Sequence, residues 1–212
     1  MEKTVLTVFS EHQSEKIIEK SRFITYSKHV ESEEEARAFI AKIRSEHSLA
    51  THVCFAFVSD KTGNLQRFSD DGEPQGTAGV PILDVLKNKK LFETVVVVVR
   101  YFGGIKLGAG GLVRAYSSSA AENLSGADIR CLEVCLELSV TVDYASIDAL
   151  QKYLLLNSCF VISSDYGENV CIRLAVKKSD EQVFLAGLVD YLQGRVSVEK
   201  GAEYYAAFKI CE

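Results

Sequence analysis

The sequence predicts an α+β protein of two domains, residues 1–127 and 128–212, and three observations carry that expectation. The first is Val95–Val99, an unbroken β-branched run followed by RYFGGIKLGAGGLVRAY (Arg100–Tyr116). Such a run suits a strand buried on both faces. The second is the order of elements after residue 128, which reads β-α-β-β-α-β, the ferredoxin-like plan. The third is charge. Residues 1–127 hold 16 Lys+Arg and 16 Asp+Glu, whereas residues 128–212 hold 8 and 13, so the second part carries the whole formal charge of −5. A polyanion, if one binds, is expected on the first domain.

At 212 residues the chain is long enough for two cores of about 100 residues each. No apolar stretch approaches the roughly 20 residues that span a bilayer. The start, MEKTVLTVFSEHQ, has acidic residues and only a short apolar patch, so it does not read as a secretory signal. The cysteines run from Cys54 to Cys211 without a CxxC pair or a His-rich partner. Cys131 and Cys135 share one face of an apparent strand. Buried thiols in a reducing cytoplasm fit this pattern better than zinc, and no cofactor is expected.

In chain order, residues 4–9 read as a weak first strand. Glu15–Glu19 and Phe23–Val30 form a strand pair broken at Lys20–Ser21. Ser32 with Glu35 is a capping box, opening a helix to about Glu46 with Ala36, Phe39, Ile40 and Ile43 inward. Thr51–Ser59 is a strand, and Lys61–Asn64 a turn. RFSDDGEPQGTAGVPIL (Arg67–Leu83) is expected to be irregular in its first half. Its second half starts a helix, with Thr77 as a possible cap and Val80, Leu83 and Leu86 inward. That helix ends at the basic Lys87–Lys90. After the valine strand and the glycine turn, a helix bearing Leu112, Val113, Ala115, Tyr116, Ala120 and Ala121 closes near Gly126.

In the second domain, Leu132–Val142 alternates strictly. Ile147, Leu150, Tyr153 and Leu154 mark a helix ending near Asn157. Cys159–Ser164 and Val170–Val176 form a hairpin around Asp165–Asn169. Ser179 with Gln182 opens another helix, ending at Gly194. Val196–Val198 and Tyr204–Ile210 finish the sheet.

The glycine turn is the foremost candidate site. It lacks the Lys-Ser/Thr of a Walker loop, because Ala109-Gly110 stands there, and Val113 replaces the third glycine of GxGxxG. What it offers is a less specific anion site at a helix start. Gly103, Gly104, Gly108, Gly110 and Gly111 supply bare backbone there. Arg100, Lys106 and Arg114 supply charge, and Tyr101 and Phe102 could stack on bases. The competing reading is a tight crossover with both aromatics entering the core.

The acidic loop is the second candidate: Arg67, Asp70, Asp71, Gly72, Glu73, Pro74, Gln75, Gly76 and Thr77. Its carboxylates could hold a hard cation. They could instead cap turns and the following helix, or pair with Arg67, Arg100 or Arg114. An enzymatic alternative uses His52 with Asp70 and Asp71. It implies a hydrolase or phosphate-handling enzyme whose pocket lies between loop and turn. A third reading is a protein–protein interaction module.

SRFITY (Ser21–Tyr26), FSDDGEPQGTAGVPIL (Phe68–Leu83) and VVRYFGGIKLGAGGLVRAY (Val98–Tyr116) together resemble the YigZ/IMPACT family. The resemblance implies a first domain folded like domain two of ribosomal protein five. It implies a second domain similar to domain five of elongation factor G. Both relatives touch ribosomal RNA. Eukaryotic IMPACT proteins dampen a starvation-responsive initiation-factor kinase by competing for its ribosome-bound activator, but a different extra domain replaces this second half in them. The expectation is a cytoplasmic, non-enzymatic, translation-associated regulator. Its partner would be RNA, the ribosome or a ribosome-bound protein, met through the first domain with the Asp70–Thr77 loop at the rim.

Overall fold

The computed structural model describes residues 5–209. The fold is α+β and divides into two compact units, one reaching to Cys131 and the other covering Leu132–Phe208.

In the first unit, β1 (Val5–Val8) precedes a hairpin of β2 (His12–Ile18) and β3 (Ser21–His29). The linking residues Glu19 and Lys20 have φ of 45° and 63°, the left-handed pair that a two-residue hairpin turn needs. α1 (Glu33–Glu46) is capped as its sequence predicts: Ser32 Oγ accepts the Glu35 N–H at 3.1 Å, and Ala36, Phe39, Ile40 and Ile43 are buried. The Glu35 carboxylate accepts the Glu31 N–H, one residue beyond the standard box.

Then follow β4 (His52–Val58), β5 (Gln66–Ser69), α2 (Gly79–Asn88), β6 (Thr94–Tyr101) and α3 (Gly108–Gly126). The sheet order is β2-β3-β6-β4-β5, which puts the valine strand at the centre, antiparallel to both neighbours. Val96 and Val98 pack with Phe23, Ile82, Leu86, Leu112 and Tyr116. Val95, Val97 and Val99 pack with Phe39, Ile40 and Ile43. Helices cover both faces of the strand, and Val95–Val99 are fully buried. Each such valine contributes about 1.5–3 kcal/mol of burial.

Two local expectations change in this unit. Arg67–Ser69 is not irregular; it belongs to β5, which pairs with Phe55–Val58. The conformational break begins only at Asp71-Gly72, with φ of 43° and 85°. Along α2, Leu83 and Leu86 are buried as expected, but Val80 is half-buried and Ile82 takes the inward place.

The second unit runs through β7 (Ile129–Val142), α4 (Ile147–Leu156), β8 (Cys159–Tyr166), β9 (Val170–Lys177), α5 (Glu181–Tyr191) and β10 (Ser197–Lys209). Its strands lie in the order β7-β9-β8, with β10 on β7, as the ferredoxin-like plan requires. Leu138, Val140, Leu150, Leu174 and Leu188 form its core. Alternation along β7 is clean from Leu136 onward.

Three boundaries differ from expectation here. β8 continues through Asp165 and Tyr166, so the hairpin link is Gly167–Asn169. Ser179 does not cap α5: its hydroxyl donates to Asp180, and a 3-10 turn at Lys178–Asp180 leads into the helix. The last two expected strands are one, β10, which runs through Gly201, where an added Cβ would sit 3.2 Å from Glu137 Cβ. Ile210 and Cys211 lie outside the described residues. Cys54 and Cys135 are buried free thiols, Cys159 and Cys171 are half-buried and free, and Cys131 is buried. No helix among the described residues is long and apolar enough to cross a membrane.

Candidate functional site

The two motifs of the first unit meet, but inside the protein. β6 carries Arg100 into the interior, where its side chain is only 5% exposed. Nη1 donates to Glu73 Oε1 at 2.7 Å, and Nη2 donates to Ser21 Oγ at 3.2 Å. Tyr116 on α3 donates its hydroxyl to the same Glu73 oxygen at 2.8 Å. Burial raises the Tyr116 hydroxyl far above its usual range, so it remains a donor. Glu73 thus ties the acidic loop to β6 and α3 through two charge-assisted bonds. The expected pairing of the loop with Arg100 is present, with Glu73 rather than Asp70 or Asp71 as its partner.

The two aspartates have structural partners of their own. Asp70 accepts the backbone N–H groups of Gly76, Ala78 and Gly79 at 2.8–3.0 Å, capping α2 from a distance. Burial pushes its carboxyl upward, but these three donors outweigh it and hold the group below the usual carboxylate range. Thr77, the expected cap, donates instead to the Pro74 carbonyl. Asp71 accepts from Val53 N and from Arg44, at 2.7 Å each.

His52 donates from Nδ1 to the Asp71 carbonyl at 2.9 Å, and its Nε2 lies 3.8 Å from Glu73 Oε2. Cys54 Sγ donates to the Asp70 carbonyl, and burial drives its thiol well above the ordinary range. The enzymatic reading of His52, Asp70 and Asp71 loses its carboxylates here, because both are held by backbone donors. Gly72, Pro74, Gln75 and Gly76 complete the loop, and Arg67 pairs with Glu33 at 3.6 Å.

The outer part of the glycine motif has a different character. Gly103 packs directly on the β2–β3 turn, where an added Cβ would lie 2.0 Å from the Lys20 carbonyl carbon. Only glycine fits that approach. Gly104 and Gly108, at φ of 86° and 68°, face open space. α3 then begins at Gly108 with no side-chain cap, and among the described residues no side chain accepts from the N–H groups of Gly108–Gly111.

Beside this start lies an open cleft of about 560 Å³, whose walls include Lys16, Glu19, Lys106, Gly111, Arg114 and Ser118. Lys16 is paired with Glu122 at 2.8 Å. Lys106 and Arg114 are exposed and make no ion pair among the described residues. Phe102 is 47% exposed on the same turn.

The cleft therefore gathers Lys106, Gly111 and Arg114 of the expected site, with Gly108 and Gly110 on the adjoining turn. Three expectations are overturned. Arg100 is not a surface phosphate contact, because the ion pair with Glu73 holds it inside. Tyr101 is not a free stacking platform: its hydroxyl bonds His47 Nδ1 at 2.8 Å, and His47 also bonds Tyr26 at 2.7 Å. The Arg67–Thr77 loop does not line this cleft. Sequence reading missed Lys16 and Glu19, because only the pairing of β2 beside β3 brings that hairpin next to α3.

Residues 19–124 match the family model described as Impact N-terminal domain, and residues 140–195 match a domain of unknown function, DUF1949. "IMPACT family member YvyE" of Bacillus subtilis (strain 168) is 38% identical over 199 residues, covering 94% of this chain and 92% of that protein. The chain belongs to the YigZ/IMPACT family. "IMPACT family member YigZ" of Escherichia coli (strain K12) is 38% identical over 185 residues, covering 85% of this chain and 90% of its own length. A crystal structure titled as a hypothetical protein superposes with a TM-score of 0.62 at 34% identity, covering 93% of this chain and 97% of that one. Both motif loops fall within the Impact N-terminal match, as do the cleft residues from Glu19 to Ser118, whereas Lys16 precedes it.

Proposed function

We propose that this chain is a cytoplasmic, translation-associated regulator that binds RNA through the cleft at the start of α3. The observation that carries the reading is the pairing state of its cations. Lys106 and Arg114 make no ion pair among the described residues and stand beside an uncapped helix N-terminus, which is a favourable place for phosphate. Arg114 offers a fork for a phosphodiester and Lys106 a point charge. Phe102, exposed on the same turn, offers a face for an unstacked base.

The charge division supports the same side, since the neutral first domain tolerates a polyanion better than the acidic second one. The resemblance of the first domain to a ribosomal protein fold supports the translational setting as an analogy of fold.

Association with ribosomes from a cell extract, with and without nuclease, and direct titration with single-stranded RNA at several salt concentrations test the reading. Binding should weaken as salt rises, and each of Lys106→Ala and Arg114→Ala should lower the log–log salt slope by about 1. Binding that ignores both salt and these substitutions would overturn it.

A further inference from the structure

The second unit presents a docking site of another kind. β8 ends the strand order β7-β9-β8, so its outer edge has no strand partner among the described residues. Natural edge strands are usually blunted by charge, proline or cover. Here Phe160, Val161 and Ile162 follow one another and are 48%, 54% and 46% exposed. A bulge between Val161 and Ser163 leaves Ile162 outside the register with β9.

Alongside the edge runs a groove of about 390 Å³ between β8 and α4, lined by Gln151, Leu154, Leu155, Cys159, Val161 and Ile172. Leu155 in its wall is 86% exposed, and the next residue, Leu156, is 78% exposed. At the hairpin end of β8, Asp165 and Glu168 are exposed and make no ion pair among the described residues.

We infer that the β8 edge takes up an extended peptide of a partner protein as an added strand, with apolar side chains at alternate positions and a basic residue at the hairpin end. A pleated peptide on β8 satisfies the open backbone groups of the edge and turns every second side chain into the α4–β8 groove. Charge selects the occupant. The second domain carries the whole −5 of the chain, which disfavours nucleic acid and disfavours pairing two copies of this unit, but attracts a lysine or arginine toward Asp165 and Glu168. This site is independent of the cleft beside α3.

The test is fluorescence anisotropy of the full chain with a labelled synthetic peptide, Lys-Lys-Thr-Val-Thr-Leu-Thr-Val. Saturable binding is expected, weakened at least about tenfold by Leu155→Asp or by Val161→Asp. Both positions are exposed, so the melting temperature should hold. Replacing the two peptide lysines by glutamates should weaken binding as well, and replacing its threonines by prolines should abolish it. Absence of binding, or equal binding by wild type and both variants, would overturn the inference. So would a dimer seen by sedimentation that Val161→Asp dissolves, since a second copy would then hold the edge.

Discussion

The Glu73 clasp and the α3 cleft are built from the same stretch of sequence, yet they differ in one physical respect. In the clasp each charge meets an opposite charge or a strong donor: Glu73 holds Arg100 and Tyr116, and Asp70 holds three backbone N–H groups. In the cleft, Lys106, Arg114 and a helix start face solvent without ion-pair or capping partners among the described residues. Burial explains the contrast. A charge removed from water must be paired or it destabilises the fold, and the clasp pairs both of its charges, leaving Arg100 Nε without a hydrogen-bond partner among the described residues. A charge left in water is stable alone and remains available to a ligand. Abundance of charged residues in a motif therefore says little about binding, whereas their pairing state says much.

Breaking the clasp should produce the largest effect. Glu73→Ala leaves the Arg100 guanidinium buried between the Phe23 and Phe102 rings with Ser21 as its remaining hydrogen-bond partner, and urea unfolding should show a loss of about 3–5 kcal/mol. The double substitution Glu73→Leu with Arg100→Met should recover much of that loss, because removing both charges removes the desolvation problem. A single-variant loss below about 1 kcal/mol would mean the pair is weaker than its geometry implies.

Tyr116→Phe keeps the ring against Phe23, whose centroid is 5.4 Å away. It removes one donor to Glu73 and should cost about 1.5–3 kcal/mol by the same measurement.

Asp70 sharpens the contrast through pH. Its carboxyl is held below the usual range, so the ionised form favours the folded state. That stabilisation is complete above the unfolded value of about 3.9 and disappears as pH falls through the lowered folded value. Asp70→Ala should therefore cost about 1–2 kcal/mol at neutral pH. The gap from wild type should narrow in acid, as followed by urea unfolding at a series of pH values. A gap that stays constant into strong acid would show that packing, not the carboxylate, is responsible.

Much of the fold was legible because its signals are local. Ser32 and Glu35 mark the start of α1, the valine run marks a doubly covered strand, and the alternation from Leu136 marks β7. The site was legible only in part. Glycines and cations in the turn are visible in sequence, but whether a given arginine is paired depends on strands far apart in the chain. Arg100 looked equivalent to Arg114 because both flank the glycines. The register of β6 against β3 and β4 sends one inward to Glu73, and the helical turn of α3 leaves the other outside. Lys16 and Glu19 joined the cleft through hairpin pairing, for which residue spacing carries no signal.

The smallest expected effect is the one that separates the two regions most cleanly. Lys106→Ala and Arg114→Ala remove exposed side chains without ion-pair partners among the described residues, so each should change stability by no more than about 0.5 kcal/mol. Arg100→Ala, a few residues away in the same motif, should be strongly destabilising because it strands Glu73 in the interior. Thermal melts of the three variants, read beside their RNA titrations, place each arginine and lysine on one of two axes. Lys106 and Arg114 should move binding and not the melt, and Arg100 should move the melt. If Arg114→Ala lowered the melting temperature as far as Arg100→Ala, its solvent-facing position would not be that of a ligand group, and the distinction between clasp and cleft would fail at its own motif.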